Sequence, residues 1–385
     1  MRPVPDSRLQ IFLLARRDFM DSESGKTPSG KNNLQTITDE TSKNSLEIQV
    51  SLCPLLDITF RQKRKKGQIF KNITIINRGQ EIRDVKLHLK SDPYFIELTK
   101  PMSFDTIHKN EVIKITDFDK IINIDFDYLV QITESTDCKV NIVGYDSEYE
   151  PVGTSKTSII RLLPYSEWPG LGEHPERLSA FIIPEDPTLV QIRSEIQDVL
   201  KRWGCPDKFT GYKDKNVNDV RDYLAAIYEV LRLKGIVYID SRTDYKNSVQ
   251  KLRLFGEVLL SREGTCLDLT ILIASILESA GLNPLIFFST NHFFVGVWLK
   301  DRCFDNPLTY DNNIVFNEIQ SDSIIAIETS DLTKGNNTKF NNSEDNAKFK
   351  IEKEILFTID VKRSREIVSP LPIRKKTDGK LAIDE

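Results

Sequence analysis

Cys266 and His292 are the residues whose types and surroundings point to chemistry. A thiol attacks a carbonyl carbon as its thiolate, and the unpaired N–H groups at a helix start favour that form. Thr265 is a good N-cap residue, and Asp268 occupies the third helical position, as in a capping box. The pattern predicts that Cys266 opens a helix, where its own backbone N–H could help to bind an oxyanion.

The elements that follow Cys266 indicate how His292 could return to it. The run 267–280 is almost wholly apolar and predicts a buried helix that Gly281 ends. This helix carries the chain about 20 Å away at about 1.5 Å per residue. A strand at 285–288 would bring it back at about 3.3 Å per residue, and a second strand at 293–299 would start beside His292. Element lengths alone therefore predict that the imidazole lies level with the thiol.

Both residues also have ordinary structural alternatives. A single cysteine at a helix start is most often a small buried side chain, and a histidine at a strand start is usually exposed or hydrogen-bonded. The joint pattern of helix start, apolar helix, glycine stop and strand-opening histidine favours a nucleophile with its base.

Composition limits the class of protein. The 385 residues are 39% apolar and 29% charged, which is ordinary for globular chains and enough for two hydrophobic cores. The net charge of -4 argues against a general nucleic-acid binder, although the basic run 61–66 could form a local patch. Five scattered cysteines without a C-x-x-C pair indicate neither a zinc site nor a thioredoxin-like motif, and they suit a reducing compartment.

Targeting signals are absent from the pattern. The apolar run 9–15 is too short for a membrane span, and its arginines follow rather than precede it. We therefore expect a soluble, cytoplasmic protein with no membrane partner, no metal and no other cofactor.

The chain divides where its hydrophobic period changes. Residues 1–45 have the composition of a flexible leader, and 46–164 predict an antiparallel, Ig-like β-sandwich. After Trp168 the pattern becomes helical at 187–200 and 217–233, so 165–365 form a second, α+β domain and 366–385 a frayed tail. The predicted sandwich strands are 46–52, 69–76, 85–89, 112–115, 128–132, 140–143 and 159–163.

The segment Arg262-Glu263-Gly264-Thr265-Cys266-Leu267-Asp268-Leu269, with Gly281 and the strand-opening Asn291-His292, resembles the transglutaminase-like cysteine hydrolase superfamily. That superfamily has a Gly-x-Cys-x-Asp helix start and a downstream histidine on a strand. More closely, the chain from about 46 to 372 resembles the N-terminal region of very large bacterial helicase-related proteins of uncharacterised function. The resemblance implies a β-sandwich followed by a transglutaminase-like (papain-like) domain. Its further stretches are Ser91-Asp92-Pro93, Tyr165-Ser166-Glu167-Trp168, Gln250-Lys251-Leu252-Arg253, Gly281-Leu282-Asn283-Pro284, His292-Phe293-Phe294-Val295-Gly296-Val297-Trp298-Leu299 and Ile327-Glu328-Thr329.

The resemblance also implies an aspartate on the strand after the histidine, which would orient the imidazole and stabilise its charged form. Asp305 and Asp311 are the candidates. A hairpin that turns at 300–302 places Asp311 beside His292, so Asp311 is favoured; Pro307 could break the return strand, which leaves Asp305 open. Gln250, upstream of the cysteine, is a candidate oxyanion donor whose alternative is a plain loop residue.

Three functions are compatible with this pattern. The first is a cysteine hydrolase, a protease or amidase acting on a protein or peptide through a Cys-His-Asp triad and an acyl-enzyme that passes to water or an amine. The second is a catalytically inactive interaction module. The third, suggested by the resemblance alone, is an accessory subunit of a bacterial defence or DNA-processing system with a helicase-related partner.

The predicted helix start generates a first test. Cys266 should alkylate faster at neutral pH than Cys53, Cys138, Cys205 and Cys303, because only Cys266 is expected to be held as a thiolate. Mass spectrometry after brief iodoacetamide treatment measures the five rates together. Equal labelling of Cys266 and an exposed cysteine would argue against an activated nucleophile.

Overall fold

The structure is a computed structural model, and it describes residues 45–61, 69–172, 174–206, 209–240, 245, 248–353, 355–377 and 380–383. The predicted leader, 1–45, lies outside these ranges except for its last residue, and so does most of the basic run 61–66. Within the described ranges the chain mixes helices with several sheets, which confirms the predicted α+β class.

The first half of the chain consists mainly of strands. Alternation of buried and exposed side chains along the first strand (Leu46–Leu52), where Leu46 and Ile48 face inward, is typical of a sheet with one solvated face. The strands are β1 (Leu46–Leu52), β2 (Leu55–Leu56), β3 (Phe70–Asn77), β4 (Ile82–Asp92), β5 (Ile96–Leu98), β6 (Met102–Ile107), β7 (Val112–Ile115), β8 (Ile122–Ile124), β9 (Thr136–Tyr145), β10 (Pro151–Thr154) and β11 (Ser158–Leu162).

Two main sheets enclose the first core. One has the order β1-β3-β7, and the other has the order β2-β11-β9-β4-β6 with β10 paired to β9. Their pairings are antiparallel except for the short parallel contact of β2 with β11. Side chains such as Ile73, Val85 and Ile142 are fully buried between them.

The predicted strand at 128–132 is wrong, because most of this segment is helix α1 (Phe126–Gln131). The side chain of Asp125 accepts a hydrogen bond from the backbone N–H of Tyr128 at 3.0 Å and so caps the helix. A local cap of this kind outweighs the strand preference of the aromatic and β-branched residues that follow it.

The second half carries the remaining helices. The helix Val217–Leu233 has the bounds that the sequence predicted, and Gly235, at φ +66°, ends it. The helices are α2 (Leu189–Arg202), α3 (Val217–Leu233), α4 (Phe255–Ser261), α5 (Cys266–Ser279), α6 (Asn312–Gln320), α7 (Phe340–Lys353) and α8 (Val361–Ser364), with 3-10 turns at Pro175–Phe181 and Thr329–Asn337.

Short and long strands alternate with these helices. They are β12 (Glu167–Trp168), β13 (Val237–Tyr238), β14 (Gln250–Lys251), β15 (Glu263–Gly264), β16 (Pro284–Ser289), β17 (His292–Trp298), β18 (Leu308–Thr309), β19 (Ile324–Ile327), β20 (Phe357–Asp360), β21 (Arg374–Thr377) and β22 (Lys380–Ile383). The last two pair with each other, so the described part of the predicted frayed tail contains a hairpin.

A five-stranded antiparallel sheet, ordered β18-β20-β16-β17-β19, organises this half. One face, including Phe288, Phe293 and Val295, packs in the same core as α5. The opposite face, including Phe287 and Phe294, packs in a separate core with α6 and α7. The sheet is therefore a middle layer with helices on both sides, and β17 lies next to its edge strand β19.

The two halves of the chain also meet. Ile58 and Val130 from the first half are buried in the core of the second, and the guanidinium of Arg177 lies 4.8 Å from the ring centroid of Phe60. Independent folding of 46–164 and 165–365 stays a prediction. Among the described residues, no helix is long and apolar enough to cross a membrane.

A glycine in β17 provides a test of the packing that carries His292. A Cβ on Gly296 would lie 2.6 Å from Cε2 of Phe287 and 2.7 Å from the carbonyl oxygen of Ile325. Gly296→Ala should therefore lower the free energy of unfolding by about 1–3 kcal/mol. Gly256→Ala is the control: its Cβ would meet Thr188 at an ordinary 3.7 Å, and alanine favours the helix by up to about 1 kcal/mol. Thermal melting compares the two, and equal melting temperatures would contradict this account of β17.

Candidate active site

Helix α5 places Cys266 at its first position, as predicted. The Thr265 hydroxyl accepts from the N–H of Asp268 at 3.2 Å, and the Asp268 carboxylate accepts from the N–H of Thr265 at 3.0 Å. The predicted capping box is thus confirmed. Asp268 also accepts from the backbone N–H of Arg253 at 2.9 Å, which fixes the segment before α4 to the start of α5. These bonds hold the thiol at the positive end of the helix.

Strand β17 begins at His292 and brings its imidazole to the thiol. The side chains of Cys266 and His292 are hydrogen-bonded, and the backbone N–H of Phe293 also donates to the Cys266 sulfur. The other end of the ring is occupied, because Nε2 of His292 lies 2.7 Å and 2.9 Å from the two carboxylate oxygens of Glu328. Nδ1 is therefore the ring nitrogen left to face the thiol.

Two threonine hydroxyls fasten the helix start to its surroundings. Thr270 donates to the carbonyl oxygen of Cys266 at 2.7 Å, and Thr329 lies within hydrogen-bond distance of the carbonyl oxygens of Cys266, at 3.3 Å, and Phe293, at 3.4 Å. Thr329 follows β19, so α5, β17 and the turn after β19 are joined at the site. The geometry of the thiol and the imidazole is consequently set by three elements rather than one.

Glu328 is the carboxylate that faces His292. It is 2% exposed, and it caps the 3-10 turn by accepting from the N–H of Ser330 at 3.1 Å. The Ser330 hydroxyl donates to the same oxygen at 2.9 Å, and Nζ of Lys350 lies 2.7 Å from the other oxygen. A buried carboxylate needs such partners, and these hold both of its oxygens.

The hairpin expected to bring Asp311 to His292 is not formed. After β17 the chain leaves the sheet and returns as β18, which pairs with β20, whereas β17 pairs with β16 and β19. Asp311 is exposed and caps α6 by accepting from the N–H of Asn313 at 2.9 Å. Asp305 is exposed as well, and its backbone oxygen accepts from Arg363 at 2.8 Å.

The register shows how Glu328 reaches the histidine. Val295 pairs with Ile327 across β17 and β19, so the residue after β19 stands diagonally opposite the first residue of β17. The usable signal in the sequence was the apolar run 324–327 with Glu328 directly after it. Pairing that run with β17, in place of 303–311, would have found the carboxylate.

Gln250, the candidate oxyanion donor, is buried in β14, where it pairs with Trp168 of β12. Its side-chain amide donates to the carbonyl oxygen of Ser248 at 3.0 Å. This bond is local in the sequence, but the buried position in β14 is not that of the loop residue offered as the alternative. The backbone N–H of Cys266, at the first position of α5, has no partner within the helix and stays the better-placed candidate donor.

Two tyrosines that the sequence analysis did not single out contact the thiol. The hydroxyl of Tyr245 lies 3.4 Å from the Cys266 sulfur, and the hydroxyl of Tyr238 hydrogen-bonds to the same atom. The Tyr245 ring packs edge-on against Phe293, with centroids 5.1 Å apart. Burial, together with the charge of Cys266, raises the pKa of Tyr238, so its hydroxyl stays protonated and available as a donor.

Burial and charge act in opposite directions on the three central groups. Burial disfavours the Cys266 thiolate, but hydrogen bonds and charge from His292, with hydrogen bonds from Tyr245 and Phe293, outweigh it and lower the thiol pKa. Burial likewise opposes the imidazolium, yet Cys266 and Glu328 raise the pKa of His292 to about 9. Against the effect of its burial, His292 and Lys350 lower the pKa of Glu328 to about 2. The three groups therefore favour one another's charged forms, a thiolate, an imidazolium and a carboxylate in a row.

No cluster of three His, Cys, Asp or Glu side chains that could hold a metal ion occurs among the described residues. All five cysteines lie in that part of the chain and are free thiols.

Comparisons with known proteins give only faint matches. No family model matches the chain, and no curated protein matches it. Among solved structures, a transglutaminase from red sea bream matches 59% of this chain and 45% of its own at 8% identity, with a TM-score of 0.19. A family 76 glycoside hydrolase from a bovine Bacteroides thetaiotaomicron strain matches 49% of this chain and 50% of its own at 11% identity, with a TM-score of 0.13. At these TM-scores neither match carries an argument about fold or activity.

The carboxylate assignment yields a direct test. Glu328→Gln keeps the shape but removes the charge that favours the imidazolium, so the pKa of His292 should fall by roughly 1–3 units. Alkylation of Cys266 near neutral pH should slow as a result, because less of the thiol is held as thiolate. Asp311→Asn is the matched control and should leave the rate unchanged. A larger loss in Asp311→Asn than in Glu328→Gln would restore the hairpin interpretation.

Proposed function

We propose that this protein is a transglutaminase-like cysteine hydrolase, a protease or amidase, in which Cys266 is the nucleophile, His292 the proton carrier and Glu328 the residue that orients the imidazole. The observation that carries the proposal is the continuous row of hydrogen bonds from the helix-start thiol through His292 to a buried carboxylate. Nucleophile, base and orienting group in this order form the arrangement used for acyl transfer.

Acylation would begin from the ion pair. The thiolate attacks the carbonyl carbon of a peptide or side-chain amide, and the carbonyl oxygen takes the negative charge, for which the N–H of Cys266 is a donor. When the tetrahedral intermediate collapses, the C–N bond breaks and the imidazolium gives its proton to the leaving amine. The product is a thioester on Cys266 with neutral His292.

Deacylation reverses the role of His292. The neutral imidazole takes a proton from water, the resulting hydroxide equivalent attacks the thioester, and the C–S bond breaks to return the thiolate and the imidazolium. An amine in place of water would give transamidation by the same steps. Glu328 stays ionised throughout and stabilises the charged ring.

One observation favours the alternative of an inactive interaction module. Cys266 is only 1% exposed, and the hydroxyls of Tyr238 and Tyr245 lie against its sulfur. A closed thiol is what a fold that has lost its substrate channel would show. A helicase-related partner in a defence or DNA-processing system, implied by the sequence resemblance, stays a prediction.

Proteome profiling separates the enzyme from the inactive module. Wild-type protein and Cys266→Ala are each incubated with a proteome, and new N-termini and newly deamidated side chains are identified by mass spectrometry. Products that depend on Cys266 support the hydrolase. If no such product forms and iodoacetamide leaves Cys266 untouched, the closed, inactive module is the better description.

The ion pair fixes the pH dependence of turnover. Acylation needs the thiolate, which is present above the pKa of Cys266, and the imidazolium, which is present below the pKa of His292. Because the pKa of Cys266 is lowered and that of His292 lies at about 9, the acidic limb should lie below the ordinary thiol value, and the rate should fall as pH rises through about 9. Initial rates on a peptide found by profiling measure this. An alkaline limb near the ordinary imidazole value of about 6.5 would contradict the raised pKa.

A further inference from the structure

Lys350 makes the contact from which a further role follows. It projects from α7, and its Nζ lies 2.7 Å from the Glu328 oxygen that is 2.9 Å from Nε2 of His292. The Lys350 side chain is 35% exposed, whereas that of Glu328 is 3% exposed. A carboxylate that contacts both an inner imidazolium and an outer ammonium stabilises the imidazolium less than it would if the ammonium were absent.

Helix α7 is fastened to the same residue by its backbone. The N–H of Glu328 donates to the carbonyl oxygen of Ser343 at 3.0 Å, and the Ser343 hydroxyl donates back to the carbonyl oxygen of Glu328 at 2.8 Å. One turn further along α7, the side chain of Asn346 donates to Asp331 at 2.8 Å. The helix that carries Lys350 and the residue that it contacts are thus held in one register.

The other charged and titratable groups around the carboxylate come from several elements. His292 on β17 faces it, Cys266 on α5 interacts with the same ring, and the charge of Glu328 contributes to the raised pKa of Tyr238 on β13. Asp240, just after β13, and Tyr245 act on the same cluster through Tyr238 and Cys266. Of these groups, His292 and Lys350 are the cations that bear on Glu328.

We propose that Lys350 is a positioning residue that acts on His292 through the Glu328 carboxylate and keeps the imidazolium acidic enough to release its proton. The inference rests on the proposed function, since it assigns a use to the proton of His292. The Lys350 ammonium partly neutralises the Glu328 carboxylate, which would otherwise stabilise the imidazolium alone. The ring is then charged at neutral pH and still able to give its proton to a leaving amine.

The direction of the effect follows from the remaining contacts. Without Lys350, Glu328 keeps its two bonds from Ser330 and its backbone bonds to Ser343, so the carboxylate stays beside the ring. With the competing cation gone, its full charge acts on His292. The pKa of His292 should therefore rise, by about 0.5–1 pH unit, the low end of the range for a nearby charge because Lys350 is partly exposed.

The experiment is an NMR titration of the histidine ring protons in the full chain. The chain has four histidines, and the His292 signal is identified by its absence in His292→Gln. Three variants are compared with wild type: Lys350→Met, Lys350→Arg and Lys348→Met. Lys348 is the matched control, because it lies on the same helix with 41% side-chain exposure and pairs with Glu344 rather than Glu328.

An upward shift of the His292 pKa in Lys350→Met, with values near wild type in Lys350→Arg and Lys348→Met, supports the proposal. An unchanged or lowered pKa in Lys350→Met, or the same shift in Lys348→Met, overturns it. The readout needs no turnover, so the two proposals fail separately. A wild-type His292 pKa at the ordinary value would argue against the ion pair on which the hydrolase depends. A raised wild-type pKa that does not change in Lys350→Met would argue only against the role of Lys350.

Discussion

A buried carboxylate needs charged or hydrogen-bonding partners, and the partners of Glu328 come from several elements of the second half of the chain. Its side chain is almost wholly buried, and its partners are an imidazole on β17, a serine in the turn after β19 and an ammonium on α7. Leaving such a charge unpaired costs several kcal/mol, on the order of the stability of a domain. The positions of β17, β19 and α7 are thus coupled through one functional group, and the thiol is coupled to all three through His292.

How much of this site could be predicted from the sequence depends on whether the deciding contacts join residues that are near or distant along the chain. The start of α5 was predictable because Thr265 and Asp268 form a cap within four residues, and His292 was predictable because one helix and one strand of known rise separate it from Cys266. Glu328 was not found, because the chain between β17 and β19 passes through β18, on the far edge of the sheet, and α6, and no local sequence pattern shows that it then pairs with β17.

Helix α7 could not be predicted from the sequence for a different reason. Its sequence is polar and rich in asparagine, and only Ala347 and Ile351 among its apolar residues are fully buried. A helix held by two apolar anchors and several polar contacts has no periodic stripe to detect. The opposite error occurred at 128–132, where aromatic and β-branched residues suggested a strand although the cap at Asp125 sets a helix. At 128–132 the capping hydrogen bond sets the helix, whereas α7 is attached by polar contacts to residues that are distant in the sequence.

The attachment of α7 has a consequence for the behaviour of the chain outside the site. β19 is an edge strand of four buried apolar residues, Ile324–Ile327, and a bare edge of that composition is a template onto which a second chain can add a strand. Ala347 and Ile351 pack α7 in the same core as Ile324 and Ala326, while Ser343 binds the backbone directly after the strand. The helix that reaches Glu328 thus also covers apolar side chains of an edge strand, so a change that loosens α7 is expected to expose Ile324 and Ala326 while it disturbs the contacts of the carboxylate.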